Sequence, residues 1–229
     1  MTAHYPELME APHSLANPAP SGIIPSRPGL YRNGIKRGLD ILLVVLSLPV
    51  VLPVIALLAL LVMRDGHAPF YTQARIGLGG RIFRFWKLRS MIFDADARLA
   101  EHLDADPAAR VEWDHTQKLK ADPRITRFGN FLRKSSLDEL LQLWNVLKGD
   151  MSLVGPRPMM DGQQVLYPGT AYYALRPGIT GSWQVSDRNE SSFAARADFD
   201  SAYEETLSFA GDVHILAATF GAVVRGTGY

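Results

Sequence analysis

Asp138 and Glu139 stand side by side, with Arg133 and Lys134 a few residues upstream. Two adjacent acids backed by two cations supply a nucleophile, ligands for a metal ion and charge to neutralise phosphate. Phosphoryl transfer needs those parts: a positioned nucleophile, a divalent cation across the phosphate oxygens, and cations facing the developing charge. A carboxylate can itself be the nucleophile, forming an acyl phosphate that divides one displacement into two. Neighbouring cations and a helix N-terminus would keep Asp138 ionised. A structural reading fits the same residues. Ser136 can cap a helix with Glu139 as its partner three residues on, and Asp138 then occupies a first turn where the helix dipole favours negative charge. Local physics leaves catalysis and capping both open.

The elements that must hold this pair follow from hydrophobic spacing. Leu137, Leu140, Leu141, Trp144 and Leu147 recur every three or four residues, which predicts an amphipathic helix over 136–147 ended by Gly149. Residues 70–72 and 82–88 have the aromatic and branched content of short strands, separated by a turn with Gly77, Gly79 and Gly80. Helices are expected over 94–103 and 194–207. The apolar stretch 213–224 is too short to cross a membrane and suits either core packing or an interfacial helix.

Residues 41–63 carry no charge, and Ser47 is their one polar side chain. About 20 such residues suffice to cross a bilayer as a straight helix. Pro49 and Pro53 lie mid-segment, where each removes a backbone donor and favours a kink. Cations flank both ends: Arg32, Lys36 and Arg37 before, Arg64, Arg75 and Arg81 after. The positive-inside tendency then places both ends in the cytoplasm, which a re-entrant helix satisfies and a spanning one does not. Residues 1–30 hold six prolines and little apolar periodicity, and are expected to form a flexible tail.

Charge is balanced overall at +1, which argues against a duplex nucleic-acid binder. Locally it is segregated into a basic block over 64–89, an acidic block over 94–114 and a second basic block over 118–134. With no cysteine, thiolate catalysis, disulfides and Cys-based metal sites are excluded. The histidines show no metal-ligand spacing.

Six motifs in order then carry a resemblance. They are Lys36-Arg37-x-x-Asp40, residues 87–91 (Lys-Leu-Arg-Ser-Met), residues 136–140 (Ser-Leu-Asp-Glu-Leu), residues 145–152 (Asn-Val-Leu-Lys-Gly-Asp-Met-Ser), residues 155–158 (Gly-Pro-Arg-Pro) and residues 176–184 (Arg-Pro-Gly-Ile-Thr-Gly-Ser-Trp-Gln). From 31 to 229 the chain resembles the monotopic phosphoglycosyl transferases, the bacterial sugar transferases that initiate surface glycan assembly. The resemblance implies that Asp138 is the covalent nucleophile, that Glu139 supports binding of magnesium (Mg2+) at the dyad, and that Arg133 binds phosphate. The implied reaction is ping-pong: a UDP-sugar donor loses UMP to leave a phosphosugar on Asp138, which polyprenyl (undecaprenyl) phosphate then takes. The ending over 225–229 resembles exopolysaccharide-type members that use glucose or galactose.

The remaining cations admit two roles each. Lys87 and Arg89, beside Phe85 and Trp86, suit either the lipid phosphate or snorkelling at the interface. Arg157, held between Pro156 and Pro158, suits bidentate phosphate binding or a structural loop. Arg176 and Gly178 open a turn whose glycines would let backbone amides approach a phosphate or a base; the resemblance makes this a donor-nucleotide region, with Arg188 as a further cation. One departure concerns the membrane bend. Family members often carry Ser-Pro there, whereas this chain has Leu52-Pro53, and a leucine cannot rebond a freed carbonyl.

The expected fold is α/β mixed but mainly helical, with a re-entrant membrane helix-break-helix, amphipathic interfacial helices and a small sheet. Its expected divisions are the tail at 1–30, the membrane hairpin at 31–66 and a cytoplasmic catalytic domain at 67–229, together a minimal catalytic form. The expected setting is the cytoplasmic face of the bacterial inner membrane, in contact with membrane lipid. Homo-oligomerisation is left open.

Overall fold

The computed structural model describes residues 29–116, 119–186 and 193–224. After one wide helical turn at Tyr31–Ile35 comes α1, Lys36–Val62, followed by the antiparallel hairpin of β1 (Phe70–Ile76) and β2 (Ile82–Leu88). Pairing runs from Phe70↔Leu88 to Ile76↔Ile82, so β1 extends four residues beyond the three expected. Thr72, Gln73 and Arg75 break the apolar alternation of β1, and the ladder to β2 supplies what the side chains do not. Gly79 and Gly80, at φ 64° and 78°, close the turn.

The chain continues through α2 (Ala95–Ala105), α3 (Pro107–Thr116), α4 (Arg127–Lys134), α5 (Gln142–Lys148), β3 (Ser152–Val154), β4 (Gly178–Thr180), α6 (Ser182–Val185), α7 (Arg196–Thr206) and α8 (Phe209–Val224). β3 and β4 form a short parallel pair whose backbones meet at glycine. The Gly178 amide donates to Pro156 O at 2.8 Å and the Gly155 amide to Thr180 O at 2.9 Å. A Cβ on Gly178 would lie 2.1 Å from Gly155 N, so no side chain fits.

α1 is helical without interruption through Pro49, Leu52 and Pro53, where a helix-break-helix was expected. Proline's fixed φ is compatible with helix, and Ser47 Oγ donates to Val44 O at 2.7 Å just before the first proline. Among the described residues this is the one helix long and apolar enough to cross a membrane. Both of its halves nevertheless dock on the same body. Val44 and Leu48 pack with Phe83, Phe85, Val146 and Met151, while Val54, Leu58, Ala59 and Val62 pack with Leu88 and Leu132. The outer face is bare, with Leu46, Val50, Leu57 and Leu60 between 58% and 70% exposed.

The Lys36-Arg37-x-x-Asp40 motif fastens the start of α1. Lys36 Nζ donates to Asp212 Oδ2 at 2.6 Å, Arg37 donates to the Val146 and Leu147 carbonyls, and Asp40 accepts from Ser152 Oγ (2.6 Å) and the Leu153 amide (3.2 Å). Asp212 is buried in α8 and also receives the Tyr31 and Tyr203 hydroxyls. α8 packs one face into the core, with Ile215 buried against Val154, Leu175 and Tyr203, while Phe209, Val213 and Phe220 face outward. A separate core of Ile76, Met159, Tyr167, Tyr172, Tyr173 and Ala197 contains no residue of α1.

Candidate active site

The dyad does not sit in the first turn of one long helix. α4, capped at Thr126 by a bond from the Gly129 amide, ends at Ser135, and the chain then reverses at Ser136, whose φ of 55° is left-handed. Ser136 makes no side-chain cap, so the expected capping box is not formed. Leu137–Glu139 is a 3-10 turn and α5 begins only at Gln142. The three- and four-residue apolar spacing is real, but a tight turn and a short helix share it, because Leu137, Leu140 and Leu141 all pack toward the end of α1. Gly149, at φ 89°, closes α5 as expected.

This turn buries Asp138, leaving it 4% exposed, with Glu139 beside it. Lys87 reaches both: its Nζ lies 2.7 Å from Glu139 Oε1 and 3.3 Å from Asp138 Oδ2. Asn145 sets that geometry from α5. Its amide donates to Arg84 O at 2.7 Å and its Oδ1 accepts the Trp86 amide at 3.2 Å, clamping α5 onto β2 one residue from Lys87. Arg133 lies on the other side, its Nε donating to Ser90 Oγ at 2.8 Å. α4 comes this close because Gly129 lacks a Cβ, which would fall 1.8 Å from Ser90 O.

Electrostatics divide the two acids. Burial raises the Asp138 carboxyl above its ordinary range, with Lys87 opposing it. Desolvation thus opposes the local charges that were expected to keep Asp138 ionised. Burial also acts on Glu139, but Lys87 and Arg157 together outweigh it and bring that carboxyl to about 2. Beside the dyad opens a cavity of about 340 Å³, largely apolar, walled by Leu140, Leu153, Ile179 and Leu216, with Glu139 and Arg157 on its lining. Arg157 makes no side-chain hydrogen bond or ion pair among the described residues. An ionised carboxylate, a buried partner and unspent cations at a cavity suit displacement at phosphorus.

Residues 31–226 match the bacterial sugar transferase family. The chain belongs to that family. The motifs that carried the resemblance to monotopic phosphoglycosyl transferases all lie inside the matched residues. Among similar proteins of known name, the UDP-galactose-lipid carrier transferase of Erwinia amylovora is 46% identical over 196 residues, 85% of this chain and 41% of that protein. The exopolysaccharide production protein ExoY of Sinorhizobium fredii is 42% identical over 211 residues, 90% of this chain and 93% of that one. The undecaprenyl-phosphate galactose phosphotransferase of Salmonella typhimurium is 44% identical over 196 residues, again 85% of this chain and 41% of that protein. The chain thus spans about two fifths of the Erwinia and Salmonella proteins and nearly all of the Sinorhizobium one.

Within this sugar transferase the other expected residues fall in different places. Arg89 is committed elsewhere: it pairs with both oxygens of Asp65 at 2.6 and 2.7 Å and donates to the Ala68 and Met91 carbonyls. It ties the exit of β2 to the chain that leaves α1. Arg176 donates to Gly149 O at 3.1 Å, at the opposite end of α5 from the dyad, where it and Arg37 meet the terminal carbonyls. The amide of Gly178 is spent on Pro156, so it does not serve a phosphate; the glycine is required by strand approach. Arg188 and the 225–229 ending lie outside the described residues.

Asp40, Asn145, Arg75 and Arg196 were not singled out by local pattern, although the first two lie inside motifs that carry the family resemblance. A divalent cation has a fitting donor set in Asp138 and Glu139, since magnesium commonly takes one or two carboxylates and completes its shell from water and substrate phosphate. Among the described residues no third carboxylate or histidine joins them.

Proposed function

We propose that the chain transfers a sugar 1-phosphate from a UDP-sugar to polyprenyl phosphate, giving polyprenyl-diphosphate-sugar and UMP in the first membrane step of exopolysaccharide synthesis. The observation that carries this is the buried Asp138 paired with Glu139 under the single ammonium of Lys87, at the edge of a cavity lined by Arg157, which has no ion pair among the described residues. The names of the Erwinia and Salmonella relatives support galactose, and glucose is its nearest rival by resemblance.

In the first half-reaction an Asp138 oxygen forms a bond to the phosphorus that bears the sugar, and the bond from that phosphorus to the bridging oxygen breaks. UMP leaves with the electron pair. In the second, an oxygen of the lipid phosphate attacks the same phosphorus and returns Asp138 as a free carboxylate. Lys87, Arg133 and Arg157 offset charge on the transferring and leaving groups. Magnesium bound at Asp138 and Glu139 would supply Lewis-acid neutralisation of the phosphate oxygens. The low pKa of Glu139 keeps it charged for that role.

Docking of both halves of α1 on one body supports a non-spanning anchor rather than a crossing, since a helix packed along its length on that body keeps both ends on the body's side of the bilayer. The flanking lysines and arginines make that side the cytoplasmic face of the inner membrane. Purified protein given a panel of UDP-sugars and polyprenyl phosphate should release UMP, and Asp138→Asn should abolish release while membrane association persists. A phosphosugar adduct on the Asp138 peptide is the expected mass signature; full turnover by Asp138→Asn would sink the mechanism.

A further inference from the structure

Three arginines, of which Arg157 also faces Glu139, stand around one core. Arg75 rises from β1, Arg157 from the loop after β3, and Arg196 begins α7. Arg157 is close enough to depress the pKa of both others by repulsion, after the larger effect of their burial. Arg75 donates to Pro158 O at 3.2 Å, next to Arg157, and to Gln73 Oε1 at 2.8 Å, yet its buried Nε finds no acceptor. Arg196 has its guanidinium 4.1 Å from the Trp183 ring centre and 4.2 Å from that of Phe193. These rings offer its charge a favourable surface but accept no conventional hydrogen bond. Its Nε is also buried and unpartnered, and among the described residues its side chain has no hydrogen bond or ion pair.

Gathering cations while leaving N–H groups unmatched is costly unless an anion completes the site. Asp200 does not complete it. Its carboxylate receives the Tyr167 hydroxyl at 2.9 Å, and burial pushes its pKa up to about 7, so its negative charge is only partial near neutrality. An anion with several oxygens and at least two charges matches guanidinium forks. Position selects its source. The arginines flank the core of Ile76, Met159, Tyr172 and Ala197, which has no α1 residue, whereas Lys87 adjoins Leu88, which packs on the membrane helix. A water-soluble ligand meets the first side and a lipid the second.

We propose that Arg157, Arg196 and Arg75 form the receptor for the diphosphate of the nucleotide donor, with Arg157 nearest the dyad and Arg196 at the outer edge. This rests on the UDP-sugar reading given above. It makes Arg196 a donor-binding residue and places cationic charge where the departing UMP gains it.

The test is calorimetric titration of the full chain in detergent with UDP and, separately, with farnesyl phosphate. Arg196→Met keeps an apolar stem between the rings, and should weaken UDP binding at least about tenfold while changing farnesyl phosphate binding less than about twofold. Arg196→Lys, which retains charge but not the fork, should lose about threefold or more for UDP, and it decides the matter if the methionine variant does not fold. Unchanged UDP affinity in the folded variants would overturn the receptor, and so would an equal loss of farnesyl phosphate, which would assign the arginines to the acceptor. A wild-type chain that binds no UDP would overturn the donor reading itself, a distinguishable result.

Discussion

Lys87 donates to Glu139 across 2.7 Å, and through that contact one ammonium serves two adjacent carboxylates. Glu139 takes the shorter bond and is held at about 2, while the more deeply buried Asp138 is displaced upward. The pair thus has one member held charged and one whose charge is less well solvated, a state that suits the nucleophilic role proposed for Asp138.

Removing that ammonium should leave two carboxylates facing each other without compensation. Lys87→Met is expected to slow UMP release about 10²- to 10³-fold, the scale of losing one preorganised charge at a reacting group. Arg89→Met, two residues away, should instead lower the melting temperature and leave UMP release within a few-fold, because Arg89 is engaged with Asp65 and backbone carbonyls. Single-turnover assays beside thermal melts separate the two.

Asp40 holds the membrane helix to β3. Asp40→Ala strips the acceptor from the buried Ser152 hydroxyl and the Leu153 amide, a loss of about 2–4 kcal/mol for unsatisfied buried donors. Chemical denaturation in detergent should show a lower midpoint, and limited proteolysis should cut sooner between α1 and β1. Asp40→Asn, which keeps an acceptor oxygen, should fall between.

The β3–β4 contact tolerates no side chain. Gly178→Ala would place a methyl group 2.1 Å from Gly155 N, so the pair must separate and the loop bearing Arg157 must move with it. Expression of folded protein should drop sharply, and any folded remainder should bind UDP weakly. Gly162→Ala, with nothing within 4 Å of the new methyl, is the control.

Asp200 makes stability depend on pH in a stated direction. Its folded pKa of about 7 exceeds the unfolded value of about 4, so the folded state binds the proton more tightly and stability falls as pH rises between those values. The groups around it are Tyr167, which donates to it, and Arg196, whose charge opposes the shift. Asp200→Asn keeps an acceptor for Tyr167 and removes the penalty. Its melting temperature should exceed wild type most above pH 7, by at most a few kcal/mol of stability, and the gap should shrink toward pH 4. A gap that widens in acid would contradict the assignment.

Contiguous chemistry was legible without coordinates. The Asp138-Glu139 pair, the uncharged 41–63 stretch, strand β2 and the Gly149 stop are each written in neighbouring residues, so composition and spacing suffice. The same spacing misjudged Ser136, because the apolar repeat of a long helix is equally that of a turn followed by a short one, and only the left-handed φ of Ser136 separates them. Which cation does what was decided by the tertiary structure. Arg89 and Arg176 looked as free as Arg157, but their partners are Asp65 and Gly149, 24 and 27 residues away. Arg196 had no local signal at all, and Lys36 meets Asp212 across 176 residues. A charged side chain is assigned by what it faces after folding, and that depends on packing between distant segments which no local pattern encodes.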